Sequence, residues 1–277
     1  MIITQNSLRE FEHHLYLEEK EPGTIGTYLT AVGQFAKWCG RQSISKELVL
    51  AYKRYLTERY SPGTVNSKLG PINLFLRFCG CEACCVKRLR IQRQLCYPQE
   101  RELYYAEYVR LVDAAKNGGN PRLALILQTL CATGIRVSEL KFITVEAAGQ
   151  QRACVRNKGK SRIILIPGEL AALLIRYAQA RGIDSGVIFR GAGGEPLDRV
   201  TIWKQMNGLS AAAGVAAEKL HPHALRHLFA VTYYQRSHDP MGLADLLGHS
   251  SLDTTRLYTA TNSGEQRRQI EQLGLVL

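Results

Sequence analysis

The stretch Thr133-Gly-Ile-Arg-Val-Ser-Glu-Leu140, together with the helical and strand patterns on either side of it, indicates the fold most clearly. Its Thr-Gly pair interrupts a helical pattern that covers residues 122–132, and another helix is predicted over 137–142. Arg136 follows this break almost at once. The stretch therefore predicts a helix, a tight turn and a cation at the start of the next helix.

Downstream of this stretch, the periodicity changes from helical to alternating. Short β-branched and apolar runs at 153–156 and 162–166 flank the basic segment Asn157-Lys-Gly-Lys-Ser161, a pattern that predicts a β-hairpin. Further helices are predicted over residues 105–115, 169–181, 199–213, 222–235, 242–247 and 252–258. The predicted fold class is mainly α with a small antiparallel β-sheet.

The N-terminal third of the chain predicts a small helical bundle. Apolar residues recur at helical spacing over residues 7–85. The segments Pro22-Gly-Thr24 and Ser61-Pro-Gly-Thr64 separate the helices. In each segment the threonine is expected to cap the helix that follows, over 24–38 and 64–78.

The length of 277 residues predicts two domains, because single cores seldom extend over so long a chain. Helical patterning fades in a basic stretch that ends near Tyr97-Pro98. We predict a helical domain over residues 1–90, a basic linker over 91–102 and a second domain over 103–277.

The charge balance favours a nucleic-acid partner over other classes. The chain has 36 Lys and Arg against 24 Asp and Glu, a net charge of +12 and a pI of about 9.4. Such a surplus attracts polyanions, although a protein can also be basic without binding them. No long apolar run or secretory signal is apparent, so we expect a cytoplasmic protein without a membrane partner.

The eight cysteines are expected to remain reduced thiols in that compartment. Cys81 and Cys84 have a C-x-x-C spacing that could supply two ligands of a zinc site. No second ligand pair follows at a suitable distance, so the favoured interpretation is thiols without metal.

A set of basic and histidine-containing segments suits a bound phosphate. On a helix, His223, Arg226 and His227 lie at i, i+3 and i+4 and can share one face. A guanidinium and an imidazole on one face suit a tetrahedral oxyanion. The alternative is that one histidine packs in the core and the arginine forms a surface ion pair.

Taken together, the motifs resemble the tyrosine recombinase (lambda-integrase-like) family, and among its members the compact Xer-type and transposon recombinases. The motifs are T-G-x-R-x-S-E-L, a K-G hairpin, H-x-L-R-H, L-G-H and a tyrosine nine residues after the last histidine. The resemblance implies an N-terminal helical core-binding (SAM-like) domain, a basic linker, and a catalytic domain with a three-stranded hairpin sheet and a C-terminal helix.

The resemblance also implies the catalytic residues, which are Arg136, Lys158, His223, Arg226, His249 and Tyr258. Lys160 competes with Lys158 for the lysine role, because in many relatives the turn after the K-G pair is one residue longer. The implied reaction is cleavage and rejoining of DNA through a 3′-phosphotyrosine. Neither a metal nor ATP is expected, since no Walker motif or carboxylate cluster accompanies these segments.

Each implied residue has a chemical role at the scissile phosphate. Tyr258 is the nucleophile, Arg136 and Arg226 stabilise the developing charge, and His223 with these arginines activates the phenol. His249 would donate a further hydrogen bond to the phosphate oxygens. Lys158 would protonate the departing 5′ oxygen.

The expected partner is double-stranded DNA with a specific recombination site. Candidate DNA-binding residues are Thr24, Lys37, Lys87, Arg88, Arg90, Arg93 and Lys160. The resemblance implies a homotetramer on two DNA sites, with a monomer or dimer when free. The tail 263–277 is expected to dock onto a neighbouring subunit, or alternatively to fold onto its own domain.

Two rival functions remain open from the sequence. A type IB topoisomerase would use the same chemistry without exchanging strands, and a non-catalytic DNA-binding module would act architecturally. Within recombination, integration or excision of a mobile element is favoured over chromosome dimer resolution and inversion.

Overall fold

The computed structural model describes residues 1–91, 102–157, 160–191, 193–248 and 271. The chain divides into two compact units, Met1–Arg93 and Gln94–Leu277. Most of the predicted linker, residues 92–101, lies outside the described ranges. Within those ranges, no helix combines the length and the apolar character needed to cross a membrane.

The first unit is a helical bundle, as its apolar spacing predicted. Its elements are α1 (Gln5–Leu17), α2 (Pro22–Cys39), α3 (Lys46–Arg59), α4 (Pro62–Phe78) and a 3-10 turn over Glu82–Cys84. Leu69 of α4 lies in one buried cluster with Phe35 and Tyr52. Phe75 of α4 packs edge-on against Phe11 in another, with ring centroids 5.2 Å apart. Helix α4 thus contributes to both clusters.

The predicted threonine caps of α2 and α4 are wrong. Both helices begin at a proline, and neither Glu21 nor Ser61 before it makes a side-chain capping bond. Proline suits a first helical position because it has no N–H to leave unsatisfied and its φ is already helical. Thr24 and Thr64 consequently lie inside the first turn.

The second unit is mainly helical and contains one β-hairpin. Its elements are α5 (Tyr105–Asn117), α6 (Pro121–Thr133), α7 (Val145–Gly149), β1 (Arg152–Asn157), β2 (Lys160–Leu165), α8 (Gly168–Ala180), α9 (Arg199–Asn207), α10 (Ser210–Ala213), α11 (Pro222–Ser237) and α12 (Pro240–Leu247). Helix α6 is largely buried and packs against α5, α8 and α11. The predicted fold class, mainly α with a small antiparallel sheet, is confirmed.

The predicted hairpin forms, with Val155 of β1 opposite Arg162 of β2. Val155 and Ile164 are buried, whereas Ile163 and Leu165 are exposed. This alternation follows from the two-residue period of a strand, which turns successive side chains to opposite faces. One face of the hairpin therefore packs on the core of the unit.

The sheet is smaller than the resemblance implied. In the part of the chain that the structure describes, the sheet has two strands rather than three. Further pairing there is limited to isolated bridges, such as the one between Thr144 and Val187. A single bridge fixes the approach of two segments without extending a strand.

Two predicted helices differ in detail. Val137–Phe142 is a 3-10 helix, and the helix predicted over 199–213 is divided into α9 and α10. Asn207 at the end of α9 donates through Nδ2 to the carbonyl oxygens of Trp203 at 2.9 Å and Leu220 at 3.1 Å. Glycine follows at 208, and it is a poor helix former. The long helix is therefore interrupted there.

Candidate active site

A pocket of about 610 Å³ opens beside the first turn of α11. Three of the predicted catalytic side chains, Arg136, His223 and Arg226, line this pocket. The ring of His221, at the N-cap of α11, accepts the N–H of Ala224 through Nδ1 at 3.1 Å. That bond fixes the start of the helix that carries His223 and Arg226.

Arg136 immediately precedes the 3-10 helix Val137–Phe142. Its backbone N–H donates to Glu139 Oε2 at 2.8 Å, and its Nη1 donates to Glu139 Oε1 at 3.2 Å. The side chain of Arg136 is 42% exposed, whereas that of Glu139 is 2% exposed. The buried carboxylate thus orients an arginine that stays accessible from the pocket.

Arg226 is held far more tightly than Arg136. Its exposed fraction is 1%, and its Nη1 and Nη2 donate to the carbonyl oxygens of Gly134 and Leu247, each at 2.7 Å. Gly134 has a φ of 62°, the left-handed conformation that ends α6. These bonds use two of the five N–H donors of the guanidinium. Arg226 therefore connects two chain segments and also lines the pocket.

His223 lies at the surface of α11, and its pKa is lowered. Partial loss of hydration is the main cause, and the charges of Arg226, His221 and Arg136 add to it. A lowered pKa favours the neutral imidazole at pH 7. A neutral imidazole can accept a proton, which suits the predicted role of His223 in activating a phenol.

His227 does not share the environment of His223, although the helical spacing allowed a common face. It is 3% exposed, and its Nε2 lies 3.7 Å from Glu102 Oε1. Burial lowers its pKa to about 4, so the ring is neutral at pH 7 and this contact is not a charged pair. His227 is therefore a core residue, as the alternative interpretation held for one histidine.

The buried state of His227 predicts a pH-dependent stability. An unfolded imidazole takes up a proton near pH 6.5, whereas the folded one stays neutral down to about pH 4. The unfolded state thus binds more protons in this window. The contribution to the free energy of unfolding is complete above pH 6.5 and falls by about 3 kcal/mol as the pH drops to 4.

Urea unfolding of wild type and His227→Gln at pH 7, 5.5 and 4 measures this contribution. The variant is expected to lose less stability than wild type over this range, because glutamine does not titrate. Equal losses in both proteins would contradict the assignment.

Several predicted site residues lie outside the described residues. They are Lys158, His249, Tyr258, Arg93 and the tail 263–277 apart from Glu271. The backbone of Lys160 begins β2, but its side chain is not among those described. The roles of these residues stay predictions.

Sequence reasoning missed Glu139 and Arg162. Glu139 Oε2 also accepts Arg162 Nη2 at 2.5 Å, in addition to its two bonds with Arg136. Two signals could have indicated them. One is the spacing of Arg136 and Glu139 at i, i+3, which allows an ion pair on one turn. The other is the charged residue Arg162 at a position of β2 where the alternation of a strand predicts an apolar side chain.

In the first unit, the basic segment 86–91 is fixed to α4 by two asparagine side chains. The Nδ2 and Oδ1 atoms of Asn73 bond the backbone C=O and N–H of Val86 at 2.8 and 3.0 Å. Asn66 bonds the backbone of Leu89 in the same way, at 2.9 and 2.8 Å. We call residues 86–91 the basic strap. Its exposed cations are Lys87, Arg88 and Arg90.

The remaining DNA-binding candidates lie on α2. Lys37 is exposed near the end of this helix, and Thr24 is half-buried in its first turn. Their role as DNA contacts stays a prediction.

The cysteines in the described ranges are free thiols. Burial raises the pKa of Cys39 and of Cys79 to about 11 and that of Cys131 to about 12. Among the described residues, no group of three or more metal-ligating side chains occurs around Cys81 and Cys84 or elsewhere.

Comparisons with known proteins agree with the resemblance that the motifs predicted. The model of the phage integrase family matches residues 101–265, more than half of the chain. Tyrosine recombinase XerD of Yersinia pestis is 32% identical over 176 residues, which are 58% of this chain and 58% of XerD. Tyrosine recombinase XerA of Pyrococcus furiosus is 33% identical over 159 residues, 55% of this chain and 54% of XerA. The chain therefore matches little more than half the length of these relatives.

Solved structures extend the similarity to the fold. A crystal structure of XerA recombinase is 26% identical, with a TM-score of 0.54, and the match covers 99% of this chain and 100% of that one. A lambda integrase tetramer bound to a Holliday junction matches with a TM-score of 0.74 at 18% identity, covering 93% of this chain and 78% of that one. The second similarity is one of fold.

Proposed function

This chain belongs to the phage integrase family, and from that premise we propose that it is a site-specific DNA recombinase that acts through a 3′-phosphotyrosine. The observation that carries the proposal is the pocket lined by Arg136, His223 and Arg226. Two guanidinium groups and a histidine with a lowered pKa suit a phosphodiester and a phenol proton.

The proposed reaction is a transesterification. Tyr258 Oη bonds to the scissile phosphorus, its proton passes to His223 or solvent, and the bond to the 5′ oxygen breaks. Lys158 supplies the proton that the departing oxygen needs. One phosphodiester is replaced by another, so a 5′ hydroxyl of a partner strand can reverse the step without a cofactor.

The arginines would stabilise charge on the non-bridging oxygens during this step. Arg136 is the more accessible of the two, and Arg226 is fixed by main-chain carbonyls, so its guanidinium does not need to reorganise on DNA binding. Fixed donors aimed at developing charge are an effective means of catalysis. His249 would add a further donor.

The proposed partner is a double-stranded recombination site, with four protomers joining two such sites. This proposal is supported by the net charge of +12 and by the DNA-bound state of the lambda integrase neighbour. The tail 263–277 would dock each protomer onto the next. The biological role that we favour is integration or excision of a mobile genetic element.

Covalent capture tests the proposed function and at the same time identifies the DNA sequence that is cleaved. The purified chain is incubated with a pool of nicked duplexes that tile the DNA flanking its gene, so that the short cleaved strand diffuses away. We expect a denaturation-resistant adduct, a recurrent captured sequence, and a modified peptide containing Tyr258. Absence of any adduct would overturn the proposal.

A plasmid assay then separates recombination from its nearest rival. Two copies of the captured site are placed on one supercoiled plasmid. We expect deletion or inversion between the copies, depending on their orientation. Relaxation without either product would instead identify a type IB topoisomerase.

The basic strap makes a prediction about DNA affinity. Arg88 extends across Gly70, where an added Cβ would come within 2.8 Å of Arg88 Nη2, and its side chain is exposed. If this cation contacts a phosphate, Arg88→Gln should lower the slope of log Kd against log salt by about 1. Salt titrations of fluorescence anisotropy with the captured duplex measure it.

Two variants serve as controls for Arg88. Arg9→Gln removes an equal charge from α1 and should leave the slope unchanged, since α1 carries no DNA-binding candidate. Asn66→Ala loosens the strap while keeping its charges, so it should weaken binding with little change of slope. A slope lowered equally by Arg9→Gln would show that the effect is general charge rather than contact.

A further inference from the structure

Arg162 forms a bridge between two parts of the candidate active site. Its Nη2 donates to Glu139 Oε2 at 2.5 Å, and its Nη1 donates to the carbonyl oxygen of Leu246 at 2.7 Å. Glu139 in turn holds both the backbone and the guanidinium of Arg136. Through one carboxylate, Arg162 is thus linked to an arginine of the proposed phosphate site.

The bridge repeats the connection that Arg226 makes. Arg226 joins Gly134 to Leu247, and Arg162 joins Glu139 to Leu246. Both arginines therefore tie segment 134–139 to the last turn of α12. Carbonyls at a helix C-terminus lack intrahelical partners and carry partial negative charge, so guanidinium groups suit them.

Arg162 lies on the buried face of the hairpin, where a cation needs partners for its charge and its N–H groups. Its side chain is 15% exposed and occupies the face of the hairpin on which Val155 and Ile164 are buried. A buried cation costs free energy unless it is paired and hydrogen-bonded. Glu139 and the carbonyl oxygen of Leu246 provide such partners for Nη2 and Nη1, whereas Nε is buried without a hydrogen-bond partner among the described residues.

Gly248, which follows α12 directly, lies close against the side chain of Arg162. Gly248 has a φ of 63°, and an added Cβ would lie 2.6 Å from Arg162 Cδ. A side chain at 248 would therefore collide with the arginine as well as strain the backbone. The next residue in the sequence is His249, a predicted catalytic residue.

We propose that Arg162 is a positioning residue, which sets the spacing between Arg136 and the end of α12. It acts through Glu139 on one side and through the end of α12 on the other, without contacting DNA. This inference rests on the proposed function, because it concerns the geometry around the same phosphate.

The rival explanation is an ion pair that only stabilises the fold. A purely structural loss would lower the fraction of folded protein and would slow every substrate equally. A misplaced Arg136 would matter most when the phosphate carries its full charge. A methylphosphonate at the scissile position has a methyl group in place of one charged oxygen, so it depends less on neutralisation by arginine.

The experiment compares Arg162→Gln with Arg152→Gln. Arg152 is exposed on β1, and its side chain makes no hydrogen bond or ion pair within the described ranges, so the control removes the same charge from the same hairpin. For each variant, we would measure the melting temperature, the Kd for the captured duplex and the adduct rate at saturating DNA. The rates are taken on phosphodiester and methylphosphonate substrates.

We expect Arg162→Gln to bind DNA within about 3-fold of wild type and to form adduct about 100-fold more slowly, since small misplacements cost this much. On methylphosphonate, the deficit should shrink to about 10-fold or less, in parallel with Arg136→Ala. Arg152→Gln should match wild type throughout.

Three results would overturn the inference. They are an adduct rate of Arg162→Gln equal to that of Arg152→Gln, an equal deficit on both substrates, and a deficit explained wholly by unfolded protein. If Arg162→Gln does not fold, Arg162→Lys replaces it in the experiment. This variant keeps a cation beside Glu139, but its single ammonium group replaces the forked guanidinium that bonds both Glu139 and Leu246. Adduct formation by Arg162→Lys at the wild-type rate would also contradict the inference. If wild type forms adduct and Tyr258→Phe does not, any of these results sinks only the role of Arg162.

Discussion

Tyr258→Phe is expected to bind the captured DNA with wild-type affinity and to form no covalent adduct. The substitution removes one oxygen, the atom that would bond to phosphorus, and leaves the ring in place. No other side chain in the proposed mechanism can replace this nucleophile. Denaturing gels of the nicked substrate measure the adduct, and anisotropy measures the affinity.

A matched control for this variant is Tyr105→Phe. Tyr105 is exposed on α5 in the same unit and has no proposed role in the reaction. This control should form adduct at the wild-type rate. Adduct formation by Tyr258→Phe would move the nucleophile to another tyrosine, which peptide mapping would then identify.

Arg226→Ala is expected to impair both folding and reaction. The buried carbonyl oxygens of Gly134 and Leu247 would each lose a charged donor. Such losses lower the free energy of unfolding by about 2–4 kcal/mol in total. Loss of a donor from the transition state should also slow adduct formation by about 100- to 1,000-fold.

Arg136→Ala separates these two effects. The side chain of Arg136 is 42% exposed, and Glu139 would keep its bond with Arg162. We therefore expect a stability loss of about 1 kcal/mol or less, with a rate loss similar to that of Arg226→Ala. Urea unfolding and single-turnover adduct rates on folded protein measure both. A stability loss as large as that of Arg226→Ala would contradict this division of roles.

The sequence was sufficient for the parts of the fold that depend on local patterns. Helical spacing located α5, α6 and α11 to within a few residues, because a buried face repeats every three or four positions. The alternating runs located the hairpin for the same kind of reason. The Thr133-Gly134 break corresponds to a left-handed glycine at the end of α6.

The sequence also indicated three residues that meet in one pocket. Arg136, His223 and Arg226 were chosen through motif resemblance, and all three line it. The sequence could not distinguish their environments. Arg226 is buried and bonded to a residue 92 positions away, whereas Arg136 stays accessible.

The tertiary structure alone decided which polar groups are buried and what they bond. His223 and His227 lie one helical turn apart, yet only His227 is in the core, because the surrounding segments differ. The bridge from Arg162 to Glu139 and Leu246, and the asparagine bonds that hold the basic strap, join residues far apart in sequence. The spacing of apolar residues indicates which face of a helix or strand is buried. It does not indicate which polar groups of distant segments bond one another, because that depends on how the segments pack.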